Sequence, residues 1–75
     1  MAYFGKREWL RKLREAKGFS QDRTAAEAGM SQAMYSRIEN GYSNPTPEQA
    51  GAISGALDFK AERFALEDEA RRAAV

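Results

Sequence analysis

Two serines and two glycines, spaced Ser20, Gly29, Ser31 and Gly41, constrain this chain more than any other feature. Serine is a favoured N-cap because its side-chain oxygen accepts a backbone N–H from the first helical turn. Glycine ends a helix because the left-handed conformation needed there costs it nothing. The segment "SQDRTAAEAGMSQAMYSRIENG" therefore reads as two short helices, about Ser20 to Ala28 and Ser31 to Asn40. Asp22 sits at the positive end of the first of them. The turn between them is about three residues long and contains Gly29. Helices this short are marginal alone in water, so other elements must cover them.

The flanking sequence supplies those elements. A helix from about Lys6 to Lys17 carries Trp9, Leu10, Leu13 and Ala16 on one stripe. Its solvent side is expected to be Lys6, Arg7, Glu8, Arg11, Lys12 and Glu15, and Gly18 stops it, with Phe19 folding back. After the Asn44-Pro45 turn, Thr46-Pro47-Glu48-Gln49 forms a capping box with proline at the first helical position. That helix runs to about Leu57. Gly51 and Gly55 in its interior are expected to mark close helix packing. A last helix, about Lys60 to Arg72, turns Phe64 and Leu66 inward, and Glu67-Asp68-Glu69 is expected to be solvated. The expectation is an all-α, compact bundle of five short helices forming one domain over residues 1–75. Within it, residues 20–40 have the sequence form of a helix-turn-helix.

Composition narrows the function. Among 75 residues there is no Cys and no His, which removes thiolate metal sites, disulfides and the commonest general base. "GAISG" at 51–55 follows no strand, so it is not a nucleophile elbow. An enzyme is not expected, nor a metal or other cofactor. No run suits a signal peptide or a membrane span, so a cytoplasmic protein is expected. The formal net charge is +1, but residues 1–41 hold eight Lys or Arg against five Asp or Glu. The first half is the better partner for a polyanion.

The third helix has the unusual face. On a helical wheel Met34, Tyr35 and Ile38 form its core side. Gln32, Ala33, Ser36, Arg37 and Asn40 lie opposite, with one charge and no acid. An amide matches the N6/N7 edge of adenine, and a guanidinium matches the O6/N7 edge of guanine. A neutral solvated face would read the same way.

"LRKLREAKGFSQ", "AGMSQAMYSRIENG", "NPTPEQ" and "GALDF" together resemble the Cro/cI-repressor type helix-turn-helix family, small phage and bacterial transcriptional regulators with a lambda-repressor-like fold. The resemblance implies that Gln32, Ala33, Ser36 and Arg37 reach base edges. It implies that Gln21, Ser31, Asn40, Tyr42 and Ser43 meet the DNA backbone, with Gln21 also bracing Gln32. Arg14 and Glu39 match a structural ion pair. Tyr35 is core, its hydroxyl a candidate for a phosphate; Arg23, Lys6, Arg7 and Arg11 are further surface cations that could add phosphate contacts. Thr24 and Ala50 stand where the family has leucine, and Trp9, Phe4 and Tyr3 would restore the lost bulk.

Such a chain would bind double-stranded DNA as a homodimer on a palindromic operator. Phe64 and Leu66 are the dimer candidates, with closure of the chain's own core an equal role for Phe64. No membrane partner or small-molecule ligand is implied, and localisation would be cytoplasmic, on the nucleoid when bound. A phage Cro-like protein, a restriction-modification controller and an antitoxin-type autoregulator all fit the length. A protein-interaction module that keeps the fold is the alternative.

Overall fold

The computed structural model describes the backbone of residues 3–73 and the side chains of residues 3–67. Five helices follow one another: α1 (Glu8–Ala16), α2 (Gln21–Ala28), α3 (Gln32–Glu39), α4 (Pro47–Leu57) and α5 (Glu62–Ala73). Among the described residues there is no strand.

The helix ends follow from local chemistry. Ser20 Oγ accepts from Arg23 N at 3.0 Å, and Ser31 Oγ accepts from Met34 N at 3.1 Å. Gly29 has φ 71° and closes α2 in the left-handed region, which glycine enters without a Cβ penalty. Thr46 and Gln49 exchange two bonds of 3.1 Å each across the first turn of α4. These three starts and the α2 stop are all short-range effects of the residues that make them.

The core gathers Leu10, Ala25, Tyr35, Ile38, Ala50, Ile53, Leu57 and Phe64. Trp9, Phe59 and Phe64 form a cluster with ring centroids 5.1 to 5.8 Å apart, Trp9 edge-on to the other two. Such packing adds to area burial because ring edges meet ring faces. Phe64, 6% exposed, thus closes the chain's own core. Thr24 is fully buried, and its hydroxyl donates to Ser20 O at 2.9 Å. The small side chain therefore adds no unsatisfied polar group.

The N-terminus differs from expectation. Residues 3–7 do not begin α1; they run along the far end of α3. Phe4 N donates to Gly41 O and Arg7 N to Glu39 O, both at 2.8 Å. Gly5 and Gly41 both have φ 85°, and a Cβ on Gly41 would lie 2.2 Å from Gly5 O. The strap and the end of α3 approach too closely for any side chain there. These long-range bonds outweigh helix propensity at Lys6 and Arg7.

Five more expectations are corrected. Arg7 is not on the solvent side: it is completely buried. Tyr3 adds no bulk to the core; it is exposed and lies against Tyr42. Leu66 faces outward, because its position on α5 is turned away from the Phe64 side. Gly51 and Gly55 are exposed with nothing near their missing Cβ atoms, so helix packing does not require them. Glu67 is partly buried and paired with Arg7, whereas the side chains of Asp68 and Glu69 lie outside the described residues.

Candidate nucleic-acid interface

The site is built around the C-terminal end of α3. Glu39 is nearly inaccessible, yet its carboxylate is fully engaged. Arg14 donates through Nε to Oε1 at 2.8 Å and through Nη2 to Oε2 at 3.2 Å. Tyr35 Oη donates to Oε1 at 2.8 Å, and Gln21 Nε2 donates to Oε2 at 2.7 Å. Arg14 Nη1 also donates to Phe19 O at 2.8 Å. One acid therefore ties α1, α2 and α3 together, and Arg14 adds the link after α1. Burial opposes the charge on Glu39, but the bonds from Arg14, Gln21 and Tyr35 outweigh it and hold the carboxyl below the ordinary carboxylate range. Burial and the bond to Glu39 push the Tyr35 phenol well up. The Tyr35 hydroxyl is spent inside the protein and is not offered to a phosphate. The Gln21 amide likewise braces the end of α3 rather than Gln32 at its start.

A second buried hub lies one face away. Arg7 donates to Ile38 O, to Ser43 O and Asn44 Oδ1 at 3.0 Å each, and to Glu67 Oε2 at 2.8 Å. Trp9 Nε1 donates to Glu67 Oε1 at 2.9 Å. Arg7 thereby fixes the loop after α3 to the strap and to α5. Helical reading of the sequence missed this residue. Arg7 precedes α1 with non-helical backbone, and its side-chain partners lie 31 to 60 residues away, so no spacing in the sequence marks it.

With its inner end held by two hubs, α3 presents a defined outer face. Gln32, Ala33 and Arg37 are exposed, and Ser36 and Asn40 are partly buried beside them. Asn40 Nδ2 donates to Ser36 Oγ at 3.1 Å, and Arg37 Nε donates to Ser43 Oγ at 3.2 Å. Tyr42 N and Ser43 N both donate to Arg37 O, at 2.8 and 3.2 Å. The loop residues are thus folded back onto the last turn of α3. Ser31 caps the other end, leaving the α3 N-terminus at the surface. No acidic side chain interrupts this face: the one acid of α3, Glu39, is buried and paired. Of the other cations, Arg11 is bonded to Glu8 and Glu15, and Arg23 lies over the Phe19 ring at 4.1 Å.

A helix-turn-helix family model matches residues 10–64, which spans the whole of α1–α4 apart from the first turn, and reaches into α5. The chain belongs to the Cro/cI-type helix-turn-helix family. This is a family of DNA-binding transcriptional regulators, not a class of enzymes. Among curated relatives it is similar to the uncharacterized HTH-type transcriptional regulator YqaF of Bacillus subtilis strain 168. The two are 40% identical over 53 residues, covering 71% of this chain and 70% of that protein. Among solved structures it is similar to the restriction-modification controller protein C.AhdI from Aeromonas hydrophila. That likeness has a TM-score of 0.70 at 33% identity, over 81% of this chain and 89% of that one. The clp gene regulator ClgR from C. glutamicum shares the fold, with a TM-score of 0.68 at 22% identity over 83% and 80% of the two chains. In this helix-turn-helix protein no described helix is long and apolar enough to cross a membrane.

Proposed function

We propose that this regulator binds duplex DNA sequence-specifically by seating α3 in the major groove. The observation that carries the reading is the outer face of α3: hydrogen-bonding and small side chains, one cation and no acid, on a helix whose far end is locked. Gln32 and Arg37 read base edges, with Ala33 and Ser36 permitting close approach or adding apolar contact. Gln21, Ser31, Asn40, Tyr42 and Ser43 meet the sugar-phosphate backbone and set the register. Gln21 has a dual task, because its Nε2 is already given to Glu39. Arg14 and Glu39 act structurally.

The same proposal includes a homodimer on a palindromic operator, with half-sites about one helical turn apart. An open groove of about 520 Å³ supports the placement of the dimer contact. Trp9, Leu13, Phe59 and Leu66 line it, with Lys12, Lys60 and Arg63 among its edges. Leu66 is 58% exposed, and burial of such a side chain is what a second copy would provide. Regulation would then follow from occlusion of a promoter or from contact with polymerase.

The test is selection from a randomised duplex pool, followed by titration of the selected sequence at two salt concentrations. A selected, dyad-symmetric sequence with affinity falling as salt rises is expected. No enrichment together with no salt slope would refute DNA binding and leave the protein-interaction alternative standing.

A further inference from the structure

We propose that the strap before α1 is a further part of the DNA-backbone surface, with the Tyr3 hydroxyl donating to a phosphate. The inference rests on the DNA-binding reading above and extends it to residues outside the helix-turn-helix. Tyr3 and Tyr42 pack with ring centroids 5.3 Å apart and planes tilted by 47°. Both remain more than half exposed, at 58% and 56%. The ring contact explains why the two side chains stay together at the surface. It does not use their polar ends, and both rings border the loop that carries Tyr42 and Ser43.

The strap is held firmly enough to act as a surface. Phe4 N is bonded to Gly41 O, immediately before Tyr42, and Arg7 N to Glu39 O. The Arg7 guanidinium is bonded to Ile38 O, Ser43 O and Asn44 Oδ1. The strap and the loop are therefore one body, and Tyr3 is carried at a set position beside Tyr42. Between them, residues 3–7 and 40–45 contain no Asp or Glu, and Lys6 adds an exposed cation whose neighbour Glu8 stands 3.7 Å away. A phosphate meets donors here, and Glu8, the acid beside Lys6, is itself paired with Lys6 and Arg11. A hydroxyl on a rigid ring pair gives a neutral phosphate contact, which positions without reading sequence.

Tyr3→Phe tests this, because it keeps the ring pair and removes only the donor. Dissociation constants are measured for wild type and variant on the selected duplex and on an unrelated duplex, with melting temperature as a check of fold. The variant is expected to bind both duplexes about three- to tenfold more weakly, the size of one lost hydrogen bond. Its melting temperature and base preference should not move. Methylphosphonate substitution is then scanned along the selected duplex. One position is expected whose neutralisation weakens wild type more than Tyr3→Phe. Equal affinity of the two proteins, or a loss with no such position, overturns the Tyr3 contact and leaves the recognition helix untouched. Failure of wild type to bind either duplex would defeat both readings.

Discussion

Arg7 and Glu67 are 60 residues apart in sequence and meet at 2.8 Å, Nε to Oε2, with the arginine wholly out of solvent. The pair joins the strap to α5 across the end of α3.

Arg7→Ala should be among the costliest single changes in the chain. It would remove the Arg7 donor from two backbone carbonyls, Asn44 Oδ1 and Glu67 Oε2. Removing one partner of a buried pair costs about 3–5 kcal/mol, a large share of the stability of a domain this small. Urea unfolding followed by circular dichroism measures it. A loss under about 1 kcal/mol would mean that the pair behaves as a surface contact.

Glu39 predicts the acid side of the stability curve. Its folded pKa lies below the ordinary value of 4.5, so the unfolded chain binds its proton first as pH falls. The stability it contributes is complete above about pH 4.5 and is lost as pH drops through the folded pKa. Glu39→Gln should lower stability at pH 7 and flatten the fall between pH 5 and pH 3. An unchanged slope in the variant would show that other carboxylates carry the acid transition.

The glycines divide into two classes with opposite signs. Gly41→Ala forces a Cβ into Gly5 O at a φ of 85°, and should cost at least about 1–2 kcal/mol from the left-handed backbone alone. Gly51→Ala and Gly55→Ala enter open space within α4. Each should gain about 0.5–1 kcal/mol from helix propensity. Thermal melts of the three single variants decide this, and a destabilised Gly51→Ala would reveal a contact on that face.

Arg37→Ala should weaken binding to the selected duplex by about 1–3 kcal/mol and relax preference at one base pair. Its present partner, Ser43 Oγ at 3.2 Å, is an exposed bond that DNA can replace. A uniform loss across all sequences would instead assign Arg37 to the phosphates.

Leu66→Glu should abolish concentration-dependent mass in sedimentation equilibrium without changing the helical content. Wild type should move towards the mass of two chains as concentration rises. A dimer that survives this change lies elsewhere than at the groove beside Trp9 and Leu13.

How legible the fold was depended on the range of the interaction. Ser20, Ser31 and Thr46 act within three residues, so their helices could be placed from the chain alone. Tyr35 and Ile38 could be assigned to the core from period, and Gln32 and Arg37 to the outer face. Arg7 was misplaced because a wheel sees an arginine among Lys6, Glu8 and Arg11 and assigns it to solvent. Leu66 was misplaced because an apolar residue on α5 is assigned inward when its neighbours in space are unknown. Gly51 and Gly55 were given a packing role that a helix with an open face does not need.

By itself the sequence determined the number of helices, the starts of three of them, and the residues α3 turns outward, since caps and period are set within a turn or two of chain. The tertiary structure decided the rest. The strap, the burial of Arg7, the pairing of Glu67 and the meeting of Tyr3 with Tyr42 all join residues between 31 and 60 positions apart, except for the strap's own local turns. Such contacts depend on which surfaces the packed helices bring together, and no local propensity carries that information.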